Sequence, residues 1–146
     1  MISRLVIGLD GSHGSRTAAT FAAELATRCG ASVLALHAVG LLDRVPSERE
    51  PVPSHQHRVE ILNELKGAWS EPLTGLSPEY RLVDGNPVSA LLRTATDPGD
   101  VIIVGSRGAG GATDLGSTSS QTAKMAQVPV VIVPSIDDPA PPERAR

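Results

Sequence analysis

The feature that most constrains this chain is an alternation between short, continuous apolar runs and longer segments whose apolar residues recur at helical spacing. Five runs have the length of a strand, and they cover residues 5–9, 33–39, 80–83, 101–104 and 130–133. Continuous apolar runs are typical of strands buried on both faces, and the segments between them indicate crossover helices. The pattern predicts an α/β fold: a five-stranded, parallel, doubly wound sheet of Rossmann-like type, with strand order 3-2-1-4-5 and helices on both faces.

Local signals mark the ends of several of the expected helices. Ser12 or Ser15 can cap the first helix, and Gly30 can end it. Asn86 followed by Pro87 is typical of an N-cap and first helical position. A last helix is expected over about 118–126. The second helix is expected to present one apolar face, formed by Val59, Leu62, Leu65 and Trp69.

The composition fits one globular domain with an aliphatic core. Of the 146 residues, 40% are hydrophobic, 20% are charged and only 2% are aromatic. We expect the folded domain to span residues 1–134. Residues 40–54 read as an exposed loop, and 135–146 read as a disordered tail, because both are rich in proline and charge.

Charge and cysteine usage exclude several classes of partner. The formal net charge is −3, and no basic run or aromatic cluster suggests nucleic-acid binding. The single cysteine, Cys29, cannot form an internal disulfide, which favours a reducing compartment. No apolar stretch approaches the roughly 20 residues of a membrane span. We therefore expect a cytoplasmic protein without nucleic-acid or membrane partners.

Two unusual segments follow strands one and four. Asp10, Gly11 and Ser12 come directly after the first run, and a glycine-rich segment, 105–116, comes after the fourth. In an open parallel sheet, ligands bind beyond the carboxyl ends of the strands, where the strand order reverses. Strands one and four are neighbours at that point in the predicted order. The two segments are therefore expected to face one crevice.

The chemistry of these segments favours a phosphate-bearing ligand. Glycine lets backbone N–H groups turn toward an anion, and the start of the last helix adds unpaired N–H groups. Ser117 and Thr118 add hydroxyl donors, and Arg107 adds a positive charge. Asp10 can accept hydrogen bonds from ribose hydroxyls or help to hold Mg²⁺. The competing interpretations are a plain flexible connection for the glycine segment and ordinary turn chemistry for Asp10.

Familiar catalytic and phosphate motifs are missing. Neither lysine, Lys66 or Lys124, follows a glycine loop, so the chain has no P-loop motif. His37 lies inside an apolar run and reads as a core or site-lining residue. Two other histidines, His55 and His57, have no acidic or cysteine partner at metal-ligand spacing and read as solvated. No catalytic residue is predicted, and any catalysis is expected to be slow hydrolysis at most.

The motifs together resemble the universal stress protein family. They are the Asp-Gly-Ser turn after the first strand, then LHAV, DGNP, IIVGSRGAGG, LGSTS and VPVVIVP, and they extend over residues 5–134. The resemblance implies a homodimer whose domains bind an adenine nucleotide: ATP first, with AMP and cyclic AMP as alternatives, and with Mg²⁺ as a possible companion at Asp10. It implies the site residues Gly8, Asp10, Ala38, Gly105, Ser106, Arg107, Gly108, Gly116, Ser117 and Thr118.

The resemblance also assigns roles within that site. Gly8 and Asp10 would line the nucleoside, and the backbone of Ala38 would recognise adenine. The residues of the glycine segment would contact the phosphates. This segment departs from the family pattern, because seven residues rather than nine separate Gly108 from Gly116, and Asp114 brings a negative charge nearby. This departure favours a second hypothesis, an interaction module of the same family that binds no nucleotide. A third, separate hypothesis is an ATP-using ligase or nucleotidylyl transferase on a related fold.

The last apolar run bears on the predicted dimer. In the predicted order, Val130 to Val133 form an edge strand that carries no charge. Such an edge invites pairing with another chain unless something covers it. Pairing with the same strand of a second copy would cover it by two-fold symmetry. The alternative is coverage by the C-terminal tail.

Overall fold

A computed structural model describes residues 1–40, 55–106 and 116–135. Of the predicted loop over 40–54, only Gly40 is described, and most of the glycine segment, 107–115, lies outside the described residues. Of the predicted tail over 135–146, only Ser135 is described. Within the described ranges, no helix is long and apolar enough to cross a membrane.

The described elements alternate as the sequence predicts. The strands are β1 (Arg4–Gly8), β2 (Ser32–Val39), β3 (Glu79–Asp84), β4 (Asp100–Gly105) and β5 (Val130–Val133). The helices are α1 (His13–Cys29), α2 (His55–Lys66), α3 (Pro87–Thr94) and α4 (Ser117–Met125), with a short 3₁₀ helix (Ala68–Leu73) after α2. All strand pairs are parallel, and the order β3-β2-β1-β4-β5 confirms the predicted 3-2-1-4-5 sheet.

The sheet separates two aliphatic cores, as a doubly wound fold requires. One core joins α1 and the 3₁₀ helix to the sheet face that carries Leu5 and Ile7. The other joins α3 to the opposite face, which carries Val6 and Leu36. Because side chains of one strand alternate between the two faces, each central strand contributes apolar residues to both cores. This burial explains why the strands read as continuous apolar runs.

The predicted caps of α1 and α3 are confirmed. The hydroxyl of Ser12 accepts the backbone N–H of Ser15 at 3.2 Å and caps α1. Gly30 ends that helix in the left-handed conformation, with φ of 67°. The Oδ1 atom of Asn86 accepts the N–H of Ser89 at 2.8 Å at the start of α3.

The predicted position of Trp69 on α2 is wrong. The helix ends at Lys66, Gly67 follows, and Trp69 lies in the 3₁₀ helix. Gly67 stands at that boundary with φ of −106° and ψ of −104°, a combination outside the helical region. The break turns the chain across the start of α1. Trp69 therefore packs near the β1–α1 turn instead of extending the apolar face of α2.

Candidate functional site

The turn after β1 places Asp10 at the carboxyl edge of the sheet. The Oδ1 atom of Asp10 accepts the backbone N–H of Ser12 at 2.9 Å, so the side chain closes its own turn. The second carboxylate oxygen, Oδ2, accepts no hydrogen bond from any described residue. Asp10 is exposed. Both predicted roles, turn former and ligand acceptor, are therefore compatible within one carboxylate.

The β1–α1 turn is supported from behind by two aromatic rings. The Nδ1 atom of His37 lies 2.7 Å from the carbonyl oxygen of Leu9, and because a carbonyl only accepts, Nδ1 carries the proton. His37 is buried and bonded through Nδ1, as predicted for a core or site-lining residue. The Trp69 ring packs edge-on against His37, with centroids 5.0 Å apart, and its indole also lies against Gly11.

The backbone of Ala38 is directed at the same edge. The Leu36 carbonyl accepts the N–H of Leu9, toward β1, whereas the Val39 carbonyl accepts the N–H of Gly85, beyond β3. Because successive residues of a strand direct their backbone groups to opposite sides, Ala38 points its N–H and C=O toward β1, past its last residue. The side chain of Ala38 is buried in the core. Only its backbone is therefore available to a ligand.

Two predicted glycines play different structural parts. A Cβ on Gly8 would make only ordinary contact with Leu91, at 3.5 Å. A Cβ on Gly105 would lie 2.6 Å from the carbonyl oxygen of Gly14, in the first turn of α1. Gly105 therefore lets the start of α1 approach the end of β4. This close approach brings the Asp10 turn beside the start of the glycine segment.

The glycine segment is closed at its base by hydrogen bonds. The N–H of Gly116 donates to the carbonyl of Ser106 at 2.7 Å, and the N–H of Ser106 donates to the carbonyl of Val133 at 2.9 Å. The buried hydroxyl of Ser119 lies 3.1 Å from the same Ser106 carbonyl. The backbone amides of Ser106 and Gly116 are thus already used. Phosphate contacts from this base would come from the Ser106 hydroxyl and from the start of α4.

The start of α4 differs from the starts of α1 and α3. Its N-cap is Gly116, which offers no side-chain cap, whereas its first turn, like those of α1 and α3, holds no acidic residue. The first amides of a helix have no partner within the helix. At α1 and α3, Ser12 and Asn86 each satisfy one of these amides. At α4, no side chain among the described residues caps the equivalent amide, that of Ser119, so one more first-turn N–H is open to an anion than at α1 or α3. The amides of Ser117 and Thr118 likewise have no partner within the helix.

The structure thus brings eight of the ten predicted site residues to one edge of the sheet. Arg107 and Gly108 lie outside the described residues. No group of three or more His, Cys, Asp or Glu residues that could hold a metal occurs in the described ranges. His55 is exposed as predicted, whereas His57 is half-buried rather than solvated.

Comparison with known proteins identifies the family. A family model for the universal stress protein family matches residues 1–134. The chain belongs to the universal stress protein family. A universal stress protein of Mycolicibacterium smegmatis is 32% identical over an aligned length of 136 positions, and the alignment covers 88% of this chain and 45% of that protein. One from Mycobacterium tuberculosis is 32% identical over an aligned length of 148 positions, which covers 94% of this chain and 46% of that protein. The chain therefore spans about half the length of these curated relatives.

Solved structures share the fold of this universal stress protein. A hypothetical protein whose biochemical function was assigned from its structure superposes with a TM-score of 0.73, at 22% identity, over 94% of this chain and 99% of that one. A universal stress protein in complex with cAMP gives a TM-score of 0.64 at 25% identity. The superposition covers 90% of this chain and 96% of that one. A universal stress protein of Archaeoglobus fulgidus in complex with dAMP gives a TM-score of 0.60 at 18% identity. The superposition covers 91% of this chain and 98% of that one.

Sequence reasoning missed two residues that shape this edge of the universal stress protein domain. The Trp69 indole covers Gly11, and the backbone of Gly14 packs closely against Gly105. Gly67 and Pro72, on either side of Trp69, are helix-breaking residues that could have separated it from α2. No local signal marks Gly14, because its partner Gly105 is distant along the chain.

Proposed function

We propose that this universal stress protein binds an adenine nucleotide, with ATP as the leading ligand, in a stress-response or regulatory role. The observation that carries the proposal is the meeting, at one sheet edge, of an open carboxylate oxygen, a free strand backbone and an uncapped helix start. These groups match the ribose, base and phosphate of a nucleotide. A family member at 25% identity, in complex with cAMP, supports the adenine assignment.

Each part of the site has a role in this proposal. The N–H and C=O of Ala38 pair with the adenine edge, and Gly8 leaves room for the nucleoside. Asp10 accepts ribose hydroxyls through Oδ2. Ser117 and Thr118 contact phosphate with their amides and hydroxyls, because the start of a helix favours anions. Ser106 adds its hydroxyl. The remaining proposed phosphate contacts come from Gly105, Arg107, Gly108 and Gly116.

Mg²⁺ fits this site only together with a nucleotide. Mg²⁺ is usually held by one or two carboxylates plus substrate phosphates and waters. Asp10 supplies one carboxylate, and no metal cluster stands near it in the described ranges. Asp10 would therefore hold the ion jointly with the phosphates. The ion would neutralise part of their negative charge.

The same proposal includes the oligomeric state of the protein, its cellular location and its activity. The folded domain spans residues 1–134 and pairs as a homodimer through β5, in the cytoplasm. It acts by binding, with slow ATP hydrolysis as the most chemistry expected of it. AMP and cyclic AMP are the alternative ligands, because the base and ribose contacts would be shared.

A second candidate function is a protein-interaction module that binds no nucleotide. Two observations favour it: Oδ1 of Asp10 is already engaged with Ser12, and the glycine segment is two residues shorter than the family pattern. In that case the open start of α4 would meet only water.

Calorimetric titration with Mg-ATP and with adenosine separates these functions. The variant Ser117→Asp adds a carboxylate at an exposed position in the first turn of α4, and Ser117→Asn adds a neutral side chain of the same shape. We expect Ser117→Asp to weaken Mg-ATP binding by about tenfold relative to Ser117→Asn, through charge repulsion of the phosphates. The carboxylate should also slightly stabilise α4.

The comparison of Mg-ATP with adenosine shows whether the substitution acts on the phosphates or on the nucleoside. Adenosine lacks phosphates, so its affinity should be equal in the two variants. An equal loss of Mg-ATP affinity in both would contradict phosphate binding at α4. No binding of any adenine nucleotide to the folded wild-type protein would favour the interaction module instead.

A further inference from the structure

The 3₁₀ helix is anchored across the start of α1. The Arg16 side chain lies 3.4 Å from the carbonyl oxygen of Ala68 and pairs with the carboxylate of Glu71. Leu73 is fully buried in the core shared with α1, and Ser70 is nearly so. These contacts fix the position of Trp69, which lies between Ala68 and Ser70. The backbone on either side of Trp69 is therefore anchored independently of the turn that the ring covers.

The indole of Trp69 covers the centre of the β1–α1 turn. A Cβ added to Gly11 would lie 2.7 Å from Nε1 and 2.8 Å from Cε2 of the ring, so the ring rests directly on the glycine backbone. Gly11 has φ of 81°, a conformation that glycine tolerates best. The edge-on contact with His37, whose Nδ1–H bonds to the Leu9 carbonyl, completes the support. The turn is thus held at Leu9 and at Gly11.

The orientation of Asp10 depends on the part of the turn that Trp69 covers. Asp10 bonds through Oδ1 to the N–H of Ser12, across Gly11. The backbone N–H of Asp10 also lies 3.4 Å from the Ser15 hydroxyl, which is a long contact. A glycine left uncovered at this point would be free to sample other conformations, since it has no side chain to restrict it. The Oδ2 atom would then lose its fixed direction.

We propose that Trp69 is a positioning residue for the nucleotide site: it holds Gly11 so that the free oxygen of Asp10 is fixed toward the ribose. This inference rests on the proposed function, and it extends the site to a segment that follows α2. Trp69 acts through the turn and touches no ligand in this scheme. It restricts the free protein to the conformation that binds, so removing the ring should weaken affinity by lowering the population of that conformation.

The first test needs no nucleotide. We compare Trp69→Ala with Leu62→Ala, a partly buried residue that packs against the same core but lies on α2. Amide exchange of Ser12, measured by NMR below the unfolding temperature of both variants, reports the Asp10–Ser12 bond. We expect exchange about tenfold faster in Trp69→Ala than in Leu62→Ala, because local opening becomes easier. Equal rates in the two variants would overturn the inference, whatever the protein binds.

The second test is nucleotide affinity in the same pair. Calorimetric titration with adenosine should show about tenfold weaker binding in Trp69→Ala than in Leu62→Ala, the range of one hydrogen bond to a charged group. Equal adenosine affinity in the two variants would overturn the inference and leave the proposed function intact. Failure of the wild-type protein to bind any adenine nucleotide would overturn the proposed function. The exchange rates would still show whether Trp69 orders the turn.

Discussion

Two glycines with positive φ differ in what a side chain at their position would cost in stability. Gly11 has φ of 81° and Gly30 has φ of 67°, so both adopt a conformation that side chains disfavour. Nothing lies within 4 Å of a Cβ placed on Gly30, whereas the Trp69 indole occupies that space at Gly11. Gly30 is therefore needed for its conformation alone. Gly11 is needed for its conformation and for its lack of a side chain.

The pair gives a matched prediction at the residue scale. Gly30→Ala should lower the free energy of unfolding by about 1 kcal/mol, the usual cost of the left-handed conformation. Gly11→Ala should cost about 1–3 kcal/mol more, because the indole must also move. Urea denaturation at pH 7 measures both values. Equal losses would show that Trp69 does not press on Gly11.

At the scale of elements, a partly buried ion pair ties β1 to β4 at the edge opposite the site. Nε and Nη2 of Arg4 bond the two carboxylate oxygens of Asp100 at 3.0 and 2.9 Å, and Nη2 also reaches the carbonyl of Thr94 at 3.1 Å. The hydrogen bond from Arg4 holds the pKa of Asp100 below its ordinary value of 3.8, although burial opposes this. The pair aligns the amino ends of the two strands whose carboxyl ends form the site.

This pair predicts how stability depends on acid. Because the folded-state pKa of Asp100 is lowered, its contribution is fully present above about pH 4 and is lost as the pH falls through that folded-state pKa. Asp100→Asn should cost about 2–3 kcal/mol at pH 7, since Arg4 loses its charged partner. The gap between wild type and variant should shrink below pH 4, as measured by chemical denaturation across pH.

An exposed pair provides the control for that experiment. Glu24 and Arg28 are one helical turn apart on α1 and pair at 3.1 Å while largely exposed to water. Glu24→Gln should change stability little at any pH, because such surface pairs contribute little. A gap for Asp100→Asn that stays constant from pH 7 to pH 3 would contradict the role assigned to its carboxylate.

At the scale of the whole molecule, the two edges of the sheet differ. The β3 edge carries Glu79, Arg81 and Asp84, and charges of this kind discourage pairing with another strand. The β5 edge is entirely apolar, and Val130 to Ile132 are only partly buried. The N–H groups of Ile102, in β4, and of Ser106, directly after it, donate to the carbonyls of Pro129 and Val133. By alternation, Ile132 directs its backbone groups away from β4, toward the open edge.

This geometry gives a specific test of the proposed homodimer. Ile132→Pro removes an N–H that faces the open edge, whereas Ile132→Ala shortens the same side chain and keeps that N–H. Light scattering at micromolar concentration should find a dimer for the wild type and for Ile132→Ala, and a monomer for Ile132→Pro. Circular dichroism would check that Ile132→Pro remains folded. A monomeric wild type, or a folded Ile132→Pro that stays dimeric, would contradict pairing through β5.

The sequence by itself determined the strands, their parallel arrangement and the chemistry at their ends. Apolar runs and caps such as Ser12, Gly30 and Asn86 are local signals, because they depend on residues within a few positions of each other. The parallel, doubly wound arrangement followed from the handedness of crossovers. The candidate positions Asp10, Ser117 and Thr118 were predictable for the same reason, since turns and helix starts carry their chemistry in neighbouring residues.

Only the tertiary structure decided how those pieces meet. It placed Trp69 on Gly11 and packed Gly105 against Gly14. It also used the amides of Ser106 and Gly116 to close the base of the glycine segment. Each of these contacts joins residues that are far apart in the chain or separated by a loop. Their distances depend on how whole elements pack, which no local pattern specifies.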